Sequence, residues 1–167
     1  NDECNRGTLR FVQERFAKIC LRSCLSNLSV QFRTSKDEGP KLIVGSMTSE
    51  QENLDTLMHI IVAQNIGWDV TYVGGNIPHD ELIHIANKIS ARAMVLAFNN
   101  SRDISRKAHE IKVIKNESEQ RDNIVLIGSE VHNFRQLADD VKAIISNDLS
   151  SFRSVSYTHL TLPTKAL

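Results

Sequence analysis

The chain carries no excess of charge: 20 lysines and arginines balance 20 aspartates and glutamates, for a formal charge of zero. That excludes a built-in nucleic-acid grip or a basic membrane-surface patch, both of which need a concentrated cationic footprint. Any DNA contact falls to a part of the protein outside this sequence. A long hydrophobic run is missing too. Apolar residues make up 41% of the chain, yet no stretch approaches the ~18 residues of a spanning helix, and no signal peptide opens at Asn1. Position 1 is not Met, and the expectation is that the sequence is a fragment. Cysteine is confined to Cys4, Cys20 and Cys24; an odd number without a pairing framework suits a reducing cytosol and a cytoplasmic location. Cys20 and Cys24, four apart, read as small apolar residues packing in a helix rather than as half a metal site. No G-x-S-x-G, G-x-G-x-x-G, P-loop or H-E-x-x-H pattern occurs, so the sequence supports no catalytic assignment.

What is present is a regular alternation of apolar strands and amphipathic helices. Residues 9–28 place apolar side chains at 9, 12, 16, 19, 20, 24, 25 and 28, with Arg10, Glu14, Arg15, Lys18 and Arg22 on the other side. This is one helix whose stripe must dock elsewhere, and residues 1–35 read as the end of a helical bundle. Residues 29–40 form a polar linker ending in KDEGP. Residues 41–47 are a continuous apolar run, expected for a strand covered on both faces. Ser49 and Glu52 form a capping box for a helix with the stripe Leu54, Leu57, Met58 and Ile61, stopping at Asn65 and Gly67.

A second strand spans 68–73, closed by Gly74 and Gly75. Pro78 sits in the first turn of a helix with the stripe Leu82, Ile85, Ala86 and Ile89. A third strand spans 93–98. The next helix, 104–114, turns Ile104, Ala108, Ile111 and Ile114 or Lys115 inward. Residues 116–123 form a charged loop, 124–128 a fourth strand, 133–138 a short helix and 141–145 a fifth strand. Asn147 or Asp148 caps a last helix from Leu149. The result is an α/β fold, a doubly wound five-stranded parallel sheet over residues 41–152 with right-handed crossovers. The stretch VSYTHLTLPT, 155–164, resembles the read-through translation of a sequencing-library adapter. Residues 154–167 are accordingly expected to be a non-native tail, with His159 outside any site.

RGTLRFVQERFAKICLRSCL and GPKLIVGSMTSEQENLDTLMHIIVAQNIGWDVTYVGGNIPHDEL together resemble the cobalamin-binding domain family of bacterial regulators. Its branches include the MerR-type photoreceptors and the photosynthesis antirepressors, and the resemblance covers roughly residues 7–152. It implies a Rossmann-like fold after a bundle helix, a corrinoid cofactor and a sensory role in transcription regulation. In the family the first turn carries an acidic residue, x, His, x, x, Gly, with the His on cobalt and the Gly leaving room for the nucleotide tail. Here Glu50 keeps the acid, Glu52 stands at the His position and Asp55 at the Gly position. A carboxylate is a harder donor than an imidazole. A family Ser near the end of the third strand is matched by Ala97, and a Gly-Gly after the fourth by Gly128 and Ser129. The photoreceptor branch's upper Trp-His falls near Cys4 and Asn5.

Competing chemistries find less support. Glu50, Glu52 and Asp55 put three carboxylates at a helix start, which opposes phosphate and therefore flavin mononucleotide or nucleotide binding. Gly45, Ser46 and Met47 offer no paired acids for the Mg²⁺ of a receiver domain. Gly74 and Gly75 serve either a ligand's approach or the strand-to-helix turn. His79 reads as exposed, and His59, His84 and His109 as helix residues without a spaced partner. His132 reads as a loop residue that could face a planar ring. Ser101, Arg102 and Asp103 read as a helix cap. A corrinoid would lie over the rim of Ser46, Thr48, Ser49, Glu52, Asp55, Gly74, Gly75, Ala97, Asn99, Gly128, Ser129 and His132, with no metal-ligating histidine from the first turn. The leading expectation is a non-enzymatic, cobalamin-binding-type sensor domain of a larger cytoplasmic regulator. The alternatives are a degenerate protein-interaction module of the same fold, including a homo-oligomer, or the corrinoid-carrying subunit of a methyltransferase or mutase.

Overall fold

Strand β1, Lys41–Ser46, is buried from its second residue to its last, and packed layers cover both of its faces. In the computed structural model, which describes residues 11–32, 39–48, 54–99, 104–119 and 123–158, the sheet order is β2-β1-β3-β4-β5. The strands are β2 (Asp69–Gly75), β3 (Ala93–Ala97), β4 (Ile124–Ile127) and β5 (Ile144–Ile145), all paired in parallel. Successive side chains leave opposite faces of a strand, so the apolar runs supply two cores at once. Ile43, Met94, Leu96, Ile124 and Leu126 face one way, onto Leu82, Ala86, Ile111, Ile114 and Phe134. Leu42, Val44, Ala93, Val95, Ala97, Val125 and Ile127 face the other, onto Ile60, Ala63, Trp68 and Phe152.

Among the described residues the helices are α1 (Phe11–Phe32), α2 (Leu54–Asn65), α3 (His79–Lys88), α4 (Ile104–Glu117), α5 (Arg135–Val141) and α6 (Leu149–Thr158), with a 3-10 turn at Val131–Phe134. The chain runs from β1 outward to β2, then returns across β1 to β3. The sheet is therefore wound in two directions, with a switch point between β1 and β3. The doubly wound five-stranded parallel sheet expected from the sequence is the one observed. None of the described helices is long and apolar enough to cross a membrane.

Several boundaries and faces differ from expectation. α2 buries Thr56, His59, Ile60, Ala63 and Gln64, not the stripe Leu54, Leu57, Met58 and Ile61. The cause is α1, which packs on the outer side of α2 (Ser29 Oγ donates to Gln64 Oε1 at 2.8 Å), so α2 is apolar all round and its phase is ambiguous. α1 continues to Phe32 through the first part of the expected linker. Most of its stripe is exposed, with Val12, Phe16 and Ile19 at 75%, 68% and 62%, and of its described members only Leu25 is partly buried. Cys20 and Cys24, expected to pack, are exposed as well.

Pro78 caps α3 from outside instead of lying in its first turn, and His79 is half-buried instead of exposed. α4 extends to Glu117, and Ser118, expected in a surface loop, is buried with its N–H on Ile114 O. Val141 ends α5 and Lys142 turns left-handed at φ 53°, which shortens β5 to Ile144–Ile145. Asp148 caps α6 as expected, its Oδ1 accepting from Ser151 N at 2.7 Å. α6 then runs on through residues 154–158; residues 159–167, like Cys4, Ser49, Glu50, Glu52 and Ser101–Asp103, lie outside the described residues.

Candidate functional site

The switch point opens at the C-terminal ends of β1, β3 and β4, where open parallel sheets hold ligands. Ser46 ends β1, and its backbone is tied to both neighbours. Asn76 N donates to Ser46 O at 2.9 Å, and Met47 N to Ala97 O at 2.9 Å. The Ser46 hydroxyl lies 3.1 Å from Thr48 Oγ1 and 3.4 Å from Thr48 N. Both side chains are buried, so these two candidates satisfy each other and shape the floor of the rim. Ala97 is wholly buried in the floor.

On the β2 side the register slips between Val44 and Ser46, which pairs Ser46 with Gly75 and leaves Gly74 as the extra residue. Gly74 has φ +88°, and a Cβ there would meet nothing within 4 Å. Its glycine serves the bulged turn and leaves open space above it.

The β3–β4 side is built more tightly. Gly128 has φ +114°, and a Cβ there would strike Phe98 O and come within 2.7 Å of Asn99 Oδ1. That absence of a side chain lets Ser129 N donate to Asn99 Oδ1 at 3.0 Å and Glu130 N to Phe98 O at 3.1 Å. Asn99 is 3% exposed, and its Nδ2 is buried without a hydrogen-bond partner. His132 lies on the 3-10 turn, not in a loop. It is exposed, and its Nδ1 is 3.1 Å from Ser129 O, which leaves Nε2 as the nitrogen able to ligate or accept.

The structure thus brings Ser46, Thr48, Ala97, Asn99, Gly128, Ser129 and His132 to one rim, with Gly74 and Gly75 at its β2 end. Asp55 is half-buried and engaged with its own helix: its carbonyl lies 2.8 Å from His59 Nδ1 and its Oδ1 3.6 Å.

His59, read from the sequence as a helix residue without a spaced partner, is 3% exposed. Its ring meets the edge of Phe152 at 4.9 Å, and its Nε2 is buried without a partner. Only its place one turn before the buried Ala63, on the face shared with Thr56, signalled this. Asp148, nearby on α6, has its carboxyl held below the ordinary value, first by the Ser151 backbone N–H and, more weakly, by the attraction of His59. Among the described residues no group of three or more His, Cys, Asp or Glu side chains could hold a metal ion.

No protein-family model matches the chain, and no curated protein matches it significantly. Solved structures do. A cobalamin-binding protein from Desulfitobacterium hafniense DCB-2 superposes with a TM-score of 0.58 at 12% identity, over 93% of this chain and 74% of that one. The Methanosarcina barkeri monomethylamine corrinoid protein gives 0.68 at 11% identity, with the same coverage. The methanol:cobalamin methyltransferase complex MtaBC of M. barkeri gives 0.60 at 9%, over 98% of this chain and 62% of that one. At such identities the likeness is one of architecture: the chain has the fold of cobalamin- and corrinoid-binding proteins.

Proposed function

We propose that this chain is a non-enzymatic corrinoid-binding module, the sensory part of a cytoplasmic transcription regulator. The observation that carries the reading is the rim itself. At the switch point of a corrinoid-type fold, a buried amide donor, Asn99 Nδ2, stands without a partner beside a glycine that admits no side chain. A group of this kind is costly unless a ligand meets it, roughly 1–3 kcal/mol for an unpaired buried donor. The described rim is neutral apart from Glu130 and His132, so it suits an uncharged, amide-fringed ring better than a phosphate.

The fit to cobalt is one-sided. The resemblance places Glu52 where the family has its histidine, and His132 Nε2 is the imidazole nitrogen that the described rim offers instead. A bound corrinoid would supply a cobalt centre responsive to light or redox state. The chain's own part is to hold the ring's amides at Asn99 and to pass its presence to α1 through α2.

Hydroxocobalamin added to the protein, followed by desalting and a visible spectrum, tests this. Retained colour that falls on His132→Ala or Asn99→Asp supports the reading; a colourless protein overturns it. The second reading, an interaction module of the same fold, is favoured by the exposed large apolar side chains of α1, among them Phe11, Phe16, Ile19 and Leu21. The corrinoid-subunit reading, favoured by the fold of the methylamine and methanol proteins, predicts colour together with methyl transfer to the cobalt.

A further inference from the structure

Cysteine is among the residues most often fully buried, and packing in a helix is the role the sequence offers Cys20 and Cys24. The structure withdraws that role: both thiols are free and exposed on α1. The helix meets α2 through its other side, where Leu25 and Ser29 are partly buried and Ser29 Oγ donates to Gln64 Oε1. Helical geometry sets the middle of the cysteine pair roughly 140° round the circumference from the middle of that contact. With packing removed, the chemistry of the sulfur is what remains to explain the pair.

The spacing decides what the two thiols can hold. Residues four apart stand one above the other on a helix, with Cβ atoms about 5–6 Å apart. A disulfide needs its Cβ atoms at roughly 3.5–4.5 Å, so these sulfurs cannot join without distorting the helix. A soft ion held in line between two thiolates separates the sulfurs by about 4.6 Å, twice a metal–sulfur bond of ~2.3 Å. Two Cβ atoms on one helix face allow that span in ordinary rotamers. Among the described residues no third donor joins them, since no group of three His, Cys, Asp or Glu side chains could share an ion. Structural zinc takes four ligands and is poorly served here.

We propose that Cys20 and Cys24 bind one copper(I) ion, a soft cation that thiolates select and that two of them can hold in a line. The same ladder of positions carries Phe16 one turn before Cys20 and Leu28 one turn after Cys24, so an apolar side chain brackets the pair at each end. The charged residues of α1, Glu14, Arg15, Lys18 and Arg22, lie at least about 80° round from either thiol. On this helix no carboxylate competes for the ion and no cation opposes it. On binding, two S–Cu bonds form and two S–H bonds break. The protons pass to solvent and copper keeps its oxidation state, so affinity falls as the pH is lowered. The bridge ties one turn of α1 to the next.

This proposal stands apart from corrinoid binding, and its failure would leave the rim untouched. The reduced full chain carrying Cys4→Ser is titrated with copper(I) under argon against bathocuproine disulfonate, and bound copper is counted after desalting. Expected are one copper per chain, an ultraviolet sulfur-to-copper charge-transfer band, unchanged sedimentation and weaker binding at lower pH. Cys20→Ser or Cys24→Ser in the same background should weaken binding at least ~100-fold, since each removes one of two ligands. Cys24→Ser with Ser26→Cys keeps two thiols but places them on different faces, and should bind no better than the single variants. Circular dichroism checks that each variant is folded, as expected for exposed positions. No copper retained against the chelator, equal retention by the displaced pair, or copper held only between two chains would each overturn it.

Discussion

Ser129 N donates to Asn99 Oδ1 at 3.0 Å, and this bond fixes which end of the Asn99 amide is left over. The remainder, Nδ2, is a buried donor that the protein does not satisfy. Asn99→Asp keeps an acceptor for Ser129 and removes the donor. Under the corrinoid reading, the hydroxocobalamin dissociation constant should rise about tenfold, the size of one lost hydrogen bond of ~1.4 kcal/mol. Titration followed by visible absorbance measures it. An unchanged constant would mean that the donor faces no ligand.

Two glycines with positive φ should respond very differently to alanine. Gly74→Ala meets no neighbour and carries only the conformational penalty of a left-handed residue, about 1 kcal/mol. Gly128→Ala drives a methyl into Phe98 O and the Asn99 carboxamide. It must displace the Ser129 and Glu130 hydrogen bonds, and roughly 3 kcal/mol or more is expected. Urea unfolding of both variants gives the comparison, and equal losses would show that the β4 rim yields easily.

The parallel sheet was legible because its strands are buried on both faces and read as unbroken apolar runs, such as Leu42–Val44 and Met94–Leu96. The strand-end loops of the rim followed from topology, since the switch point lies where the strand order reverses, whereas Glu52, Asp55, Ala97, Gly128 and Ser129 were named through the family resemblance. What the sequence concealed were helix phases. α2 lies between the sheet and α1, so Leu57 and Ile61 were as eligible for the core as Ile60 and Ala63, and His59 was set aside as a helix residue without a partner. α1 misled in the other direction: of the stripe expected to dock, Leu25 is partly buried on the α2 side with Ser29, while Val12, Phe16, Ile19, Cys20, Cys24 and Leu28 are exposed. The roles of Ser46 and Thr48 could not be read either. Hydroxyls at a strand end suggest a ligand, but these two are buried against each other.

His59 fills space in the α2–α6 seam as much as it makes hydrogen bonds. His59→Ala removes the ring that Phe152 packs against and leaves a cavity, for an expected loss of about 2–4 kcal/mol. His59→Leu fills most of the volume and removes the unpartnered Nε2, at the expense of the bond to Asp55 O, so it should cost less than half as much. Thermal or urea unfolding of the pair separates packing from polarity. A leucine variant as unstable as the alanine variant would place the effect in the Asp55 bond.

Asp148 makes the α6 cap sensitive to acid. Its carboxyl accepts from Ser151 N and is held below the ordinary value of 3.8, with His59 adding a smaller pull in the same direction. A folded value below the unfolded one means that the native state binds the proton less readily than the unfolded chain. The stabilisation is therefore complete above the ordinary carboxylate range and is lost as pH falls through the folded value. Asp148→Ala should melt below the parent at pH 6–7, and the two melting curves should converge as the pH is taken below about 3. Asp148→Ser, which retains a capping oxygen without the charge, should recover most of the neutral-pH difference. Its melting temperature should then change less between neutral and acid pH than the parent's. A gap between parent and alanine variant that persisted unchanged into acid would locate the contribution of Asp148 outside the ionised cap.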